Sequence, residues 1–135
     1  MPTLLIANKC YSSWSLRPWL LMKQARIAFE EVVVPLDRPD TRERILKHSP
    51  AGKVPVLVDG DVTVWDSLAI VEHLAETREA GRVWPQDRAA RAMARSVSAE
   101  MHSGFPALRR ACPMNFGKKF GRRDRGPDVA RDVGR

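Results

Sequence analysis

The sequence lacks any long hydrophobic run, and this absence limits where the protein can work. No stretch approaches the roughly 20 apolar residues that a helix needs to cross a bilayer. The N-terminus reads Met-Pro-Thr-Leu-Leu-Ile, without a basic segment or a cleavage site of small residues, which argues against a secretory signal. We therefore expect a soluble, cytoplasmic protein with no membrane partner.

Cysteine and histidine are scarce. The two cysteines, Cys10 and Cys112, are too few and too far apart to suggest a disulfide framework. The three histidines, at positions 48, 73 and 102, have none of the close Cys/His spacings of a zinc site. These features favour a reducing compartment and predict no metal.

Positive charge is in excess, and much of it lies at the C-terminus. The sequence carries 23 Lys and Arg against 16 Asp and Glu, and 44% of its 135 residues are hydrophobic. That apolar fraction is typical of a globular protein. The basic segment 117–135 fits either nucleic-acid binding or a solvated terminus. No basic surface interleaved with aromatic residues accompanies it, so we do not expect a nucleic-acid partner.

The first eighty residues alternate strand and helix patterns. Apolar runs, β-branched residues and an Asp-Gly turn predict strands, and apolar residues at helical spacing predict helices. Strands are predicted over 3–7, 29–35, 53–58 and 62–65, and helices over 16–28, 41–48 and 67–77. The order is β-α-β-α-β-β-α, an α/β class.

The sequence also predicts the place of a proline in the first helix and the cap and buried side of the third. Pro18 is expected in the first turn of the first helix, where a proline is tolerated. The third helix should be capped by Asp66 or Ser67. Its buried side is predicted to consist of Leu68, Ala69, Val71 and Leu74.

A linker at 81–86 should separate this domain from a long helix over 87–110. Apolar residues recur there at every fourth position and form one stripe, which consists of Ala89, Met93, Val97, Met101 and Phe105. One amphipathic helix cannot bury such a stripe alone, so it must dock on the first domain or on another partner.

Three segments have residues suited to chemistry. Cys10 to Arg17 places a thiol and hydroxyls before a helix, where backbone N–H groups favour a thiolate. Ser12 and Ser13 can donate to such a thiolate, although serine is equally a common helix cap.

The second segment could pair with an extended peptide, and the third could hold a zwitterionic amino-acid end. In 49–57, the Val54–Pro55 bond is either cis, leaving backbone groups free to pair with an extended ligand, or part of an edge strand. Asp66 and Ser67 start a helix, where they can either cap it or hold an ammonium and a carboxylate.

These segments, in this order, resemble the cytosolic glutathione transferases. The similarity covers residues 3–77, as the thioredoxin-like glutathione-binding domain of that family. It rests on three motifs, S-x-x-S-L-R-P-W-L from Ser12, S-P-A-G-K-V-P-V-L from Ser49, and W-D-S-L-A-I from Trp65. The Tyr-Ser-Ser stretch is similar to the serine-using theta- and zeta-like classes.

The resemblance implies a role for each motif residue. Ser13, or Ser12 one residue earlier, would hydrogen-bond the sulfur of glutathione. Val54, with Pro55 cis, would pair its backbone with the cysteinyl part of glutathione, and Lys53 would lie near the glycyl carboxylate. The γ-glutamyl end would be held by the next pair, Asp66 and Ser67.

The implied reaction is conjugation of glutathione, as co-substrate, to a small electrophile, by a homodimer that serves detoxification. The helix over 87–110 would begin the family's all-helical substrate domain, which residues 87–135 would form only in part, so the chain looks truncated. Two alternatives stay open. One is a non-catalytic module that binds glutathione or a protein partner. The other is glutaredoxin-like thiol exchange through Cys10, which starts a C-x-x-S motif; an inert Cys10 is also consistent with the sequence.

Overall fold

The computed structural model describes residues 1–78 and 83–134. Its first half contains a four-stranded mixed sheet. The strands are β1 (Thr3–Ile6), β2 (Glu30–Val33), β3 (Val56–Asp59) and β4 (Val62–Trp65), in the spatial order β2-β1-β3-β4. Strand β2 is parallel to β1, whereas β3 is antiparallel to both β1 and β4.

Six helices lie within the described residues. They are α1 (Ser13–Gln24), α2 (Thr41–Leu46), α3 (Ser67–Thr77), α4 (Arg88–Ser103), α5 (Pro106–Ala111) and α6 (Pro127–Val133). Helices α1 and α3 pack against each other and against the sheet. The predicted order β-α-β-α-β-β-α is confirmed: the first half is a thioredoxin-like domain, and helices follow it.

The core lies between the sheet and these two helices. Apolar side chains from the central strands meet apolar side chains from α1 and α3, and all are removed from solvent. The fully buried cluster consists of Leu4, Ile6, Met22, Leu57, Ile70 and Leu74.

Helix α1 begins three residues earlier than predicted and ends at Gln24. The reason is Ser12, whose side chain accepts a hydrogen bond from the Ser15 backbone N–H and caps the helix at that point. Pro18 is therefore inside the helix and buried, rather than in its first turn. Because proline has no backbone N–H, α1 lacks one backbone hydrogen bond at Pro18.

Strand β3 starts at Val56, not at Lys53, because the segment before it contains the cis Val54–Pro55 bond. The buried side of α3 is also rotated from the prediction. Its buried residues are Ser67, Ile70, Leu74 and Ala75, while Ala69 is exposed. Leu68 and Val71 are only half-buried because they face the cleft between α3 and α4.

The predicted helix over 87–110 is wrong as one element, since Gly104 and Phe105 divide it into α4 and α5. Phe105 has a φ of 63°, which an α-helix cannot accommodate. The apolar stripe is only partly covered. Val97 and Met101 line the cleft that faces α3, yet Met93 and Val97 are 64% and 51% exposed, and α4 buries none of its residues.

The predicted linker over 81–86 lies partly outside the described residues, because positions 79–82 are not described. Within the described ranges, none of the helices is both long enough and apolar enough to span a bilayer.

Candidate functional site

The hydroxyl of Ser12 is used within the protein. It donates to the Ser15 Oγ at 2.9 Å, and Ser15 Oγ in turn accepts from the Ala7 backbone N–H at 3.0 Å. Because Ser15 is fully buried, this chain of bonds fixes the start of α1 to the end of β1. Ser12 thus has a structural role as cap and connector.

Ser13 differs from its neighbour. It is the first residue of α1 and is half-buried, and its hydroxyl has no hydrogen-bond partner among residues 1–78 and 83–134. It lines a cavity of about 490 Å³ together with Trp14 and Arg17. The Ser13 hydroxyl is therefore free to donate to a ligand at the N-terminus of a helix.

Cys10 lies upstream of both serines in an exposed turn. Its backbone N–H donates to Asn8 Oδ1 at 2.8 Å, and its carbonyl accepts from the Phe116 N–H at 2.9 Å. The thiol is exposed, and Cys10 is not among the described residues that line the cavity at Ser13. Both serines line that cavity and Cys10 does not, and the reactive role of Cys10 stays a prediction.

The expected cis geometry of the Val54–Pro55 bond is confirmed. Pro55 is buried, and the Val54 backbone groups make no hydrogen bond within the described part of the chain. Lys53 is exposed beside them. All three residues line a second cavity, of about 610 Å³.

Asp66 and Ser67 line the same cavity from the start of α3. Asp66 has a φ of 76° and caps the helix, because its Oδ1 accepts from the N–H groups of Leu68, at 2.8 Å, and Ala69, at 3.4 Å. Ser67 is 3% exposed, and its Oγ has no hydrogen-bond partner in the described structure. A buried hydroxyl without a partner is uncommon and suits a polar ligand atom.

His102, on α4, is a site residue that the sequence did not reveal. Its Nε2 lies 3.3 Å from Asp66 Oδ2, and its ring meets the Trp14 indole edge-on at 5.3 Å between centroids. The contact joins positions 36 residues apart in sequence, on two helices whose packing no local pattern specifies. The one hint of this role in the sequence was that His102 lies beside the apolar stripe of the predicted long helix.

Trp14 lines both cavities. The guanidinium of Arg17 lies 4.2 Å from the centroid of its indole, and that of Arg109 lies 4.6 Å away. Burial lowers the pKa of Arg17, the nearby Arg109 charge lowers it further, and the Asp66 carboxylate opposes the shift. The Arg17 guanidinium stays protonated at neutral pH.

The geometry therefore defines a thioredoxin-like domain with a cleft between its cis-proline loop and the start of α3. Residues 11–77 match the family described as "Glutathione S-transferase, N-terminal domain". Through this domain, the chain belongs to the glutathione S-transferase family.

Named relatives support the same assignment. The chain is 40% identical over 68 residues to dichloromethane dehalogenase of Methylophilus leisingeri, covering 47% of this chain and 24% of that protein. It is 36% identical over 97 residues to a probable maleylacetoacetate isomerase of Caenorhabditis elegans, covering 71% of this chain and 44% of that protein. The chain thus spans less than half the length of these relatives.

A solved structure extends the likeness beyond the first domain. A glutathione transferase homolog from Burkholderia GL BGR1, crystallised with bound glutathione, superposes with a TM-score of 0.66 at 30% identity. The match covers 82% of this chain and 62% of that one.

Proposed function

We propose that this protein binds glutathione in the cavity at Val54, Asp66 and Ser67 and transfers its thiolate to a small electrophile. The observation that carries the proposal is the cleft itself. Free backbone groups at Val54 line the same cavity as the Asp66 carboxylate and the buried Ser67 hydroxyl, and Trp14 lines both this cavity and the one at Ser13. A γ-linked tripeptide with two carboxylates and one ammonium suits these groups.

Each end of glutathione has a partner in this cavity. The Val54 N–H and C=O would pair with the cysteinyl residue, in the manner of strand addition, next to cis Pro55. Lys53 would attract the glycyl carboxylate. Asp66 Oδ2, which also contacts His102 Nε2, would accept from the γ-glutamyl ammonium. Asp66 Oδ1 already accepts from the N–H groups of Leu68 and Ala69, so the buried Ser67 hydroxyl would donate to the γ-glutamyl carboxylate.

Ser13 is favoured over Ser12 as the group that stabilises the thiolate, because the Ser12 hydroxyl is already engaged with Ser15, whereas the Ser13 hydroxyl has no partner in the described structure. A hydrogen bond from Ser13 and the N-terminus of α1 would both lower the pKa of the bound thiol. The thiol proton leaves to solvent. The sulfur then forms a bond to an electrophilic carbon, from which a leaving group such as halide departs with its electron pair.

The experiment is a pH titration of bound glutathione, followed by thiolate absorbance, in three variants. Ser13→Ala should raise the pKa of the bound thiol by roughly one to two units, the equivalent of one charge-assisted hydrogen bond. Ser12→Ala should leave that pKa near the wild-type value. Cys10→Ser should change neither the pKa nor the turnover of an aryl halide. An unchanged pKa in Ser13→Ala would refute the serine mechanism.

Two other outcomes would favour the alternatives. Retention on immobilised glutathione without turnover of an aryl halide would indicate a non-catalytic binding module. Thiol exchange that Cys10→Ser abolishes and Ser13→Ala leaves intact would indicate glutaredoxin-like chemistry, for which the exposed Cys10 thiol is accessible.

We also propose the organisation that this activity needs. Residues 1–80 form the glutathione-binding domain, 81–86 the linker, and 87–135 part of a helical substrate domain, whose helix α4 borders the cleft through His102. The exposed stripe on α4 favours a homodimer, and conjugation of electrophiles would serve detoxification in the cytoplasm.

A further inference from the structure

Arg17 is a half-buried cation that the proposed glutathione contacts do not use. It makes no hydrogen bond and no ion pair with any residue in 1–78 or 83–134. Its close neighbours are the Trp14 ring and, against the same ring, the guanidinium of Arg109. The Asp66 carboxylate opposes the lowering of the Arg17 pKa but forms no ion pair with Arg17. Two like charges stacked on one indole leave an unbalanced positive site.

Arg109 is held in place by the corner between α4 and α5. Its Nε donates to the Gly104 carbonyl at 2.9 Å, and a terminal nitrogen donates to the Met101 carbonyl. Its other terminal nitrogen is not used in these bonds. Arg17 keeps its whole guanidinium fork, because stacking on an aromatic ring leaves the in-plane N–H groups free to donate.

Both arginines line the cavity that contains Ser13, and among its described lining residues none is acidic. The rest of the wall is largely apolar, and includes Leu36, Met101, Phe105 and Leu108. The cavity therefore joins an apolar compartment, two guanidiniums and the hydroxyl proposed to hold the thiolate. A neutral hydrocarbon would fill the apolar part and leave the two charges without a counterion.

We propose that Arg17 and Arg109 form a carboxylate-binding subsite, so that the electrophiles of this protein carry a carboxylate. The proposal rests on the proposed glutathione transfer. Two guanidiniums suit a carboxylate because their planar N–H groups match its two oxygens. The carboxylate would hold one end of the substrate at Trp14 and keep its reactive carbon within reach of the sulfur near Ser13.

A carboxylate of glutathione is the other source of the same chemistry, since Trp14 also lines the cavity at Asp66. The lining residues favour the second substrate. Arg17 and Arg109 line the cavity at Ser13 together, and neither lines the cavity at Val54 and Asp66, although Arg17 also borders the cleft between α3 and α4 with Ser67.

The test measures binding of nitrobenzoate and of nitrobenzamide, its uncharged analogue, by calorimetry with the full 135-residue chain. The wild type should bind nitrobenzoate more tightly. Arg17→Gln should weaken nitrobenzoate binding roughly tenfold or more, the cost of losing a charge-assisted contact, and leave nitrobenzamide binding unchanged. Arg17→Lys, which keeps the charge but loses the fork, should show an intermediate loss.

Lys23→Gln is the matched control, because it removes a cation from the same helix that lies over Trp19 and Phe29 rather than Trp14. It should bind both compounds as the wild type does. Equal affinities of the wild type for the two compounds would overturn the proposal. So would unchanged nitrobenzoate binding in folded Arg17→Gln. If Arg17→Gln does not fold, the wild-type preference and the Arg17→Lys variant still decide the question.

Glutathione binding, measured on the same samples, separates this inference from the proposed function. A tenfold loss of glutathione affinity in Arg17→Gln, with nitrobenzoate binding unaffected, would assign the subsite to glutathione and refute the inference. A wild type that prefers nitrobenzoate but binds no glutathione would refute the proposed function and leave the carboxylate subsite standing.

Discussion

The carboxylate of Asp59, at the end of β3, shows how single contacts set the charge of a residue. His73 Nε2 lies 3.0 Å from Oδ2, and the Arg78 guanidinium donates to both oxygens at 2.8 Å. The hydrogen bond with His73 lowers the pKa of Asp59, burial opposes this, and Arg78 lowers it further. The ionised carboxylate of Asp59 is thus hydrogen-bonded in the folded state and exposed to water in the unfolded chain.

This arrangement predicts how the stability of the protein depends on pH. With the folded-state pKa below the unfolded value, Asp59 contributes its stability above about pH 4 and loses it as the pH falls through the folded-state pKa. Asp59→Asn should lower the free energy of unfolding at pH 7 by about 1–2 kcal/mol, measured by urea denaturation. The difference from wild type should shrink below pH 4.

Asp61→Asn is the control for Asp59, since Asp61 is exposed at the adjacent turn. It should change stability little at either pH. A difference between wild type and Asp59→Asn that is equally large at pH 7 and at low pH would show that the carboxylate charge is not the cause.

The sequence predicted most residues of the candidate site, but it did not predict the role of each one. The hydroxyl–hydroxyl bond between Ser12 and Ser15 distinguishes Ser12 from Ser13, and adjacent serines in a sequence carry no such information. Likewise, either Asp66 or Ser67 could have capped α3. The positive φ of Asp66 places its carboxylate over the helix amides and leaves Ser67 buried.

At the scale of elements, the corner between α4 and α5 depends on a glycine. A Cβ at Gly104 would lie 2.7 Å from the Glu100 carbonyl oxygen, closer than side chains tolerate. The corner also places Phe105 in the left-handed region and holds Arg109 through the Gly104 carbonyl. An added methyl group must therefore shift the backbone that positions this arginine.

We expect Gly104→Ala to lower the free energy of unfolding by roughly 1–3 kcal/mol, measured by urea denaturation, because the methyl group meets backbone rather than a movable side chain. Gly121→Ala is a suitable comparison, since a Cβ there would meet nothing within 4 Å. Equal stabilities of the two variants would contradict a packing role for Gly104.

The two helical predictions differ in outcome for a local reason. Residues 67–77 have a capping residue at the start and form one uninterrupted helix, as predicted. The apolar spacing over 87–110 continues through Gly104 and Phe105, so periodicity alone could not detect the break. Glycine followed closely by Pro106 was the available signal, because proline starts helices more readily than it continues them.

At the scale of the whole molecule, α4 presents an apolar surface that the described residues cover only in part. Met93, Val97 and Met101 are each at least 45% exposed on a helix that has no buried residue. Exposed apolar side chains at this spacing on one helix are characteristic of an interface.

The proposed homodimer gives a prediction about this surface. We expect the wild type to self-associate with increasing concentration in analytical ultracentrifugation. Val97→Glu should shift it towards monomer, because association would bury an unpaired charge. Val133→Glu adds the same charge on α6, away from the stripe, and should leave the association unchanged. A wild type that stays monomeric at all concentrations would refute the dimer.

The sequence by itself determined the order of strands and helices, the fold class and the three motifs, because these follow from local preferences and from apolar periodicity along the chain. Which serine is free and where the long helix breaks are local features that apolar periodicity does not encode, and only the three-dimensional structure shows them. Tertiary packing decided that His102 meets Asp66 and that Arg109 shares Trp14 with Arg17, which are contacts between residues distant in sequence. They arise only when packing brings separate helices together, and no local pattern specifies that packing.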